Sequence, residues 1–312
     1  MKGALIIGFG RMGISHASLY RLHPQNRKKI IDVLDTSKKL NFALKFFKKN
    51  TFLQPKDLKK IKINEYDSIF ICSPPEYHQE SIKLIRGFEG KVFIEKPLLA
   101  TNFFDLDCKK IYVGYVLRKS KLIEDLKKIV SKRKISKCYI RLETNFNFST
   151  NGNSWRESDL KFGGLINEFG SHCINLGLNF IPDLKLFEAS FKNVNNSTLN
   201  LNSESNEDLN CYIKLEGNSK KVRKATYNLQ IDCSDGESFT TDFYMLKSNG
   251  KIPINHSLAE EGISSYAYVR GHEFSSQMKY FLENNYFENS LSHALKTDLI
   301  LKTIHEKISP RR

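Results

Sequence analysis

The start of the chain constrains its fold more than any other segment. "ALIIGFGRMGISHASLY" sets a short apolar strand, Ala4 to Ile7, directly before Gly8, Gly10 and Gly13, and residues 14 to 22 continue with helical character. In a strand–GxGxxG–helix unit each glycine has a separate task. Gly8 permits the tight turn, Gly10 lets the backbone approach a pyrophosphate, and Gly13 lets the helix pack close to the strand. The helix N-terminus then offers free N–H groups to the phosphates.

A second apolar strand, Ile30 to Leu34, ends at Asp35, twenty-two residues after Gly13. A carboxylate there can accept hydrogen bonds from ribose hydroxyls and would repel a 2′-phosphate, which favours NAD over NADP. Lys38 and Lys39 follow and soften that repulsion, so NADP stays open. Asp32 is the alternative anchor, although it falls inside the strand.

The alternation continues. "SKKLNFALKFFKKN" has an amphipathic helical period through Leu40, Ala43, Leu44 and Phe47. Ile69 to Cys72 reads as a strand that Ser73-Pro74-Pro75 terminates, and Glu76 to Ile85 as the next helix. "KVFIEKPLLA" is a buried strand running into Glu95-Lys96-Pro97, and Ile111 to Tyr115 is one more. Strands alternating with helices predict a parallel α/β sheet, with ligands beyond the strands' C-terminal ends. Gly8, Asp35, Ser73, Glu95 and Lys96 all stand at such ends.

Beyond residue 117 the pattern changes. Residues 136–146, 184–192, 209–216, 222–231 and 237–244 read as strands without regular helices between them, which predicts a mainly antiparallel sheet. The fold class is therefore α/β, an N-terminal Rossmann domain over 1–117 followed by an α+β domain over 118–312. The polar stretch 193–208 is expected to be a solvent loop. Residues 263–285 and 290–308 read as two closing helices, the last able to pack back on the first domain.

Net charge is +15, from 49 Lys and Arg against 34 Asp and Glu. That suits anionic ligands, and the densest run, residues 118–137, reads mainly as a solvated helix face with Leu122, Leu126, Ile129 and Val130 inside. No nucleic-acid motif accompanies the charge. No run approaches the length of a membrane span, and the N-terminus lacks the pattern of a signal peptide. Six scattered cysteines suggest neither a zinc site nor a disulfide scaffold, and a cytoplasmic setting is expected.

"GGLINEFGSH", residues 163–172, carries Glu168 and His172 at i,i+4 on a helix expected over 166–178, with Asn175 and Asn179 on later turns. Such a carboxylate can orient the ring and raise its basicity. Gly170 inside the helix costs about 0.5–1 kcal/mol relative to alanine, which a close backbone or ligand approach would explain. Lys96, set opposite these two, would complete a cleft triad able to exchange a proton with a reacting oxygen. No cluster has metal-ligand spacing. His16, His78 and Cys72 read as structural rather than catalytic.

Together "IIGFGRMG", "ICSPPEYH", "EKPL", "VGYVLR", Trp155-Arg156 and "GGLINEFGSH" resemble the glucose-fructose oxidoreductase, inositol dehydrogenase and MocA-type oxidoreductases, in the family's order. The resemblance implies hydride transfer between a nicotinamide and a sugar or cyclitol hydroxyl or ketone. It implies cofactor contacts from Gly8, Phe9, Gly10, Arg11, Met12, Gly13, Asp35, Ser73, Pro74, His78, Glu95 and Lys96, with Pro97 in a tight turn that a cis bond suits. It implies His172 as the acid/base, Glu168 where many members have aspartate, and Lys96 at the reacting hydroxyl. Arg118, Trp155, Arg156 and Asn167 join Lys96 and His172 as substrate contacts. Two departures stand out: Asn175 replaces a common acid, and the piece between Pro97 and Ile111 is too short for its usual helix.

The activity expected is an NAD-dependent oxidoreductase acting on a sugar or nucleotide sugar, in a homodimer or homotetramer. A related non-redox sugar enzyme and a catalytically silent nucleotide-binding regulator are the alternatives.

Overall fold

Backbone pairing turns the first alternation into one parallel sheet. The structure is a computed structural model that describes residues 2–36, 50–53, 61–149, 164–222, 225–243, 245–249, 256–257 and 273–308. Six strands, β1 (Lys2–Ile7), β2 (Ile31–Leu34), β3 (Asn50–Leu53), β4 (Tyr66–Ile71), β5 (Lys91–Ile94) and β6 (Ile111–Val113), line up as β3-β2-β1-β4-β5-β6. All the neighbours run parallel. Ala4 to Ile7, Ile69 to Ile71 and Val92 to Ile94 are buried throughout, as strands covered on both faces must be. The strand order reverses between β1 and β4, so a crevice opens beyond their C-terminal ends, where Gly8 and Ser73 stand.

Helix α1 (Arg11–Leu22) follows the glycine-rich loop, and α2 (His78–Leu84) follows a 3-10 turn at Pro75–Tyr77. The helix expected near 40–47 lies outside the described residues. Between Pro97 and the 3-10 turn Cys108–Lys110 there is no helix, in keeping with the shortness of that piece.

The second sheet has the order β14-β13-β12-β11-β7-β10-β9-β8. Its strands are β7 (Ile135–Thr144), β8 (Leu184–Asn193), β9 (Asn196–Ser203), β10 (Asn210–Glu216), β11 (Ala225–Cys233), β12 (Ser238–Thr241), β13 (Met245–Ser248) and β14 (His256–Ser257). Pairing is antiparallel except between β7 and β10. One face carries the core: Cys138, Ile140 and Leu142 of β7 pack with Leu122, Ile123 and Leu126 of α3 (Lys121–Val130) and with Cys173, Ile174 and Leu176 of α4 (Ser171–Phe180).

Strand β9 corrects the loop expected over 193–208. Ser197, Leu199, Leu201 and Ser203 alternate as buried residues, at most 5% exposed. Two leucines and two small hydroxyls satisfy an inward face, while the asparagines between them hide the period of two from a composition-based reading.

Helix α5 (Glu273–Glu283) and α6 (Ser290–Ile308) close the chain. The chain forms two compact units, residues 1–114 with 275–295, and residues 115–274 with 296–312. The division thus falls three residues before the expected 117, and part of the C-terminal segment belongs to the first unit. There Phe281 packs edge-on against Phe70 and Phe93, with centroids 5.2 and 5.5 Å away. Lys91 Nζ donates to the carbonyls of Phe281, Leu282 and Asn284 at 2.7–3.1 Å, capping the end of α5. Among the described residues no helix is long and apolar enough to cross a membrane.

Candidate functional site

The three glycines of the first loop differ in what surrounds them. Gly8 has φ +87°, and a Cβ there would lie 2.5 Å from Ser73 N. A Cβ on Gly13 would lie 2.2 Å from Gly8 O. Both glycines are therefore demanded by the protein's own packing. Gly10 is exposed, and a Cβ there would meet nothing within 4 Å. Among the described residues the space over Gly10 is open, and the N-cap of α1 is Gly10 itself, which has no side chain to cap the helix. This cradle fits the diphosphate of a dinucleotide. Arg11 is exposed and Met12 half-buried on the same turn.

Asp35 stands at the end of β2, and its Oδ2 accepts the Phe9 N–H at 2.6 Å. The carboxylate therefore lies against the loop itself. Asp32, the alternative anchor, is fully buried and accepts the Tyr66 hydroxyl at 2.7 Å, so it belongs to the core of the sheet.

Beyond β4, Ser73 Oγ lies 3.0 Å from Ser81 Oγ, and Pro74 leads into the 3-10 turn. His78 is fully buried, its Nε2 3.0 Å from Ser73 O and its Nδ1 2.9 Å from Leu98 O. Burial holds its pKa below the ordinary histidine value in spite of these carbonyls. His78 thus ties the Ser73 bend to Leu98 by its ring. Glu95, expected at the cofactor, is 8% exposed and turns its carboxylate inward to His16, with Nε2–Oε1 2.6 Å. Lys96 follows, half-buried, and the Lys96–Pro97 peptide is cis.

In the second unit the segment around Glu168 is not a plain α-helix. Ile166–Gly170 forms a π-helical turn that passes into α4 at Ser171, whose N–H bonds to Ile166 O. A π turn is wider than an α turn, so the plain helix expected over 166–178 carries this irregularity between Glu168 and His172. His172 is half-buried with its ring perpendicular to Tyr115, at 89° and 5.9 Å between centroids. Burial pushes the Tyr115 phenol well up, so it stays protonated beside the imidazole.

Asn167 departs from the substrate contact expected of it. It is fully buried and its Oδ1 lies 3.0 Å from His305 Nε2. Its backbone carbonyl accepts Ser171 Oγ at 2.6 Å. Asn167 therefore braces the π turn. Asn175 is likewise buried and donates to Thr297 Oγ1 at 3.0 Å. A Cβ on Gly170 would lie 2.9 Å from Leu215 Cδ1, so close packing on β10 explains this glycine. Arg118 sits half-buried on the 3-10 turn Val116–Lys119. Burial lowers the pKa values of Lys119 and Lys127; the Glu124 carboxylate, 3.2 Å from Lys119 Nζ, opposes this at Lys119, and repulsion from Arg118 and Lys119 adds to it at Lys127. Trp155 and Arg156 lie outside the described residues.

Two features escaped the sequence reading as parts of a site, the His16–Glu95 pair and Tyr115. The spacing of His16, three residues beyond Gly13 on α1, was the available signal for the first. Among the described residues no group of three His, Cys, Asp or Glu could hold a metal ion.

Comparisons with known proteins agree with this geometry. Residues 2–107 match the family model of the Gfo/Idh/MocA oxidoreductases, described as an oxidoreductase family with an NAD-binding Rossmann fold. Among curated proteins none matches the chain. Solved structures similar over the whole length include a levoglucosan dehydrogenase in complex with NADH and levoglucosan, with TM-score 0.72, 14% identity and 98% of each chain covered. A myo-inositol dehydrogenase from Corynebacterium glutamicum has TM-score 0.68 at 14% identity, covering 98% of this chain and 96% of its own. A dehydrogenase from Chromobacterium violaceum has TM-score 0.72 at 14% identity, covering 98% and 95%. At such identities these likenesses speak to the fold. With the glycine-rich loop, the strand order and the family model agreeing, the domain over residues 2–107 is an NAD-binding Rossmann domain of the Gfo/Idh/MocA oxidoreductase type.

Proposed function

We propose that the chain transfers hydride between NAD and a hydroxyl or ketone of a sugar or nucleotide sugar. The observation that carries this reading is the open space over Gly10, set between two glycines that the packing itself requires. The nicotinamide supplies the hydride acceptor or donor. The chain's own residues do the rest. Phe9, Gly10 and the first turn of α1, with Arg11 and Met12, receive the diphosphate. Asp35 receives the ribose. Ser73 and Pro74 line the nicotinamide side, on a bend that His78 holds in place.

His172 takes the hydroxyl proton in the oxidising direction and returns it in the reducing direction. Lys96 stabilises the negative charge that develops on the reacting oxygen. Glu168 adjusts the basicity of His172 from the π turn. Arg118 contacts substrate, and its cationic neighbours Lys119 and Lys127 favour one carrying phosphate or carboxylate. The likeness to a levoglucosan dehydrogenase and a myo-inositol dehydrogenase supports a polyhydroxylated substrate. Exposed Phe187 and Tyr212 on the second sheet support self-association as a dimer or tetramer, which sedimentation velocity would test.

Titration of the protein with NADH and with NADPH, followed by energy transfer from protein aromatics to the dihydronicotinamide, tests the reading. Tight NADH and weak NADPH binding, followed by turnover in a panel of sugars and nucleotide sugars, is the expected result. Preference for NADPH would overturn the cofactor assignment. Binding of neither by folded protein would overturn the function.

A further inference from the structure

His16 lies on α1, three residues past the last glycine of the loop, and is 1% exposed. Its ring packs on Phe70 and Phe93, with centroids 5.8 and 4.5 Å away. Its Nε2 meets Glu95 Oε1 at 2.6 Å. The other carboxylate oxygen, Oε2, accepts the backbone N–H of Lys96 at 3.3 Å. One buried carboxylate therefore bonds both the helix that follows the glycine-rich loop and the residue at the bend after β5. The backbone N–H of Glu95 continues the ladder, donating to Ile71 O at 2.9 Å. Gly114, beyond β6, makes room for this arrangement, since a Cβ there would stand 3.0 Å from the Phe93 ring and 3.5 Å from Glu95 Oε1.

This arrangement is costly if its only purpose is to hold the fold. A carboxylate taken from water loses most of its hydration, and buried pairs seldom stabilise more than apolar residues of the same shape. Phe70, Phe93 and Phe281 already fill the neighbourhood with apolar contacts. What a carboxylate adds that an apolar side chain cannot is two acceptor atoms with fixed directions. One of them is spent on the amide of the residue whose side chain carries the amine. Burial first, then the nearby Glu95 carboxylate, raises the Cys72 thiol just beyond β4.

We propose that His16 and Glu95 form a positioning pair for Lys96, with the Glu95 carboxylate holding the Lys96 bend against the helix that follows the glycine-rich loop. The inference rests on the reading of Lys96 as the group that meets the reacting oxygen. His16 fixes the carboxylate, the carboxylate fixes the Lys96 amide, and the direction in which the Lys96 side chain leaves the bend follows. Neither His16 nor Glu95 touches the substrate in this arrangement.

The test uses the full chain with Glu95→Met, which keeps the side chain's length and removes both acceptors, and Glu95→Gln, which keeps an acceptor oxygen. Lys96 is labelled with an amine-reactive succinimidyl ester and read by peptide mass spectrometry, alongside NADH affinity, melting temperature, kcat and KM. Glu95→Met is expected to raise the Lys96 labelling rate about threefold or more, as a bend released from its tether opens more often. It is expected to lower kcat about tenfold or more with NADH affinity kept within about threefold, as a displaced catalytic group would. Glu95→Gln is expected to recover most of both effects. If Glu95→Met does not fold, His16→Phe replaces it, cutting the ring's bond while preserving the aromatic packing.

Unchanged labelling and kcat in a folded Glu95→Met or His16→Phe protein would overturn the proposal. So would losses of kcat and NADH affinity that merely track the unfolded fraction. If the unsubstituted chain turns over no substrate, the functional reading fails on its own, and Lys96 labelling still decides whether the pair positions the bend.

Discussion

The Phe9 amide donates to Asp35 Oδ2 across 2.6 Å, so the acid at the end of β2 holds the glycine-rich loop, a task beside the ribose contact proposed for it. The two tasks separate by substitution. Asp35→Ala loses the clamp and is expected to weaken NADH and NADPH alike by about tenfold or more, the worth of a charge-assisted hydrogen bond. Asp35→Asn keeps an acceptor for Phe9 but loses the charge, so the ratio of NADPH to NADH affinity should rise. Fluorescence titration of both variants with both dinucleotides checks this; a loss confined to NADH in Asp35→Ala would show that the clamp carries nothing.

The loop glycines should respond differently to alanine. Gly13→Ala sets a Cβ 2.2 Å from the Gly8 carbonyl, backbone against backbone, and is expected to cost about 2–3 kcal/mol of stability. Gly10→Ala meets nothing among the described residues within 4 Å and should melt normally, yet bind dinucleotide about tenfold or more weakly because its methyl occupies the cradle. Urea unfolding and NADH titration of the pair test the contrast. Normal NADH affinity in Gly10→Ala would move the diphosphate elsewhere.

Lys96→Met and His172→Ala are expected to bind NADH within about threefold of the unsubstituted chain while losing about 10²–10⁴ in kcat, as loss of a general acid–base or charge-stabilising group does. Single-turnover hydride transfer in the presence of saturating dinucleotide separates chemistry from binding. Retention of kcat in His172→Ala would remove the imidazole from the proton path.

A pH effect on stability should arise at the β8–β9 hairpin. Burial alone would raise the Asp183 carboxyl, but hydrogen bonds from the Ser205 and Ser203 hydroxyls and the Ser205 amide outweigh it and hold the pKa down at about 2. Since the folded value lies below the unfolded one, the stabilisation is present above about pH 4 and is lost as pH falls through about 2. Asp183→Asn should therefore cost about 1 kcal/mol near neutral pH, discounted for partial exposure, with the difference fading under acid. Urea unfolding of both proteins across that range gives the answer, and a pH-independent difference would assign the loss to packing.

The limits of reading this site from sequence are physical and attach to particular residues. Gly8, Gly13 and Asp35 were legible because strand, turn and helix within thirty-five residues leave few alternatives for them. Strand β9 was not, because its inward face is built from Ser197, Leu199, Leu201 and Ser203 among asparagines that read as turn formers. The π turn at Ile166–Gly170 was not, because helical spacing in sequence carries no mark of one extra residue in the turn. His78 and Asn167 kept their place in the motifs, but burial gave their side chains to Leu98, Ser73 and His305.

The sequence by itself determined the class of the first domain, its dinucleotide loop and the antiparallel character of the second sheet. These follow from local periodicity and from glycine and proline positions, which act over a few neighbouring residues. Only the tertiary structure decided that Glu95 turns from the cofactor side to His16, 79 residues earlier, and that Asp35 reaches back to Phe9. Those pairings depend on which strands become neighbours in the sheet. A buried polar group takes the partner that chain topology brings within about 3 Å, and no local pattern of residues encodes that distance.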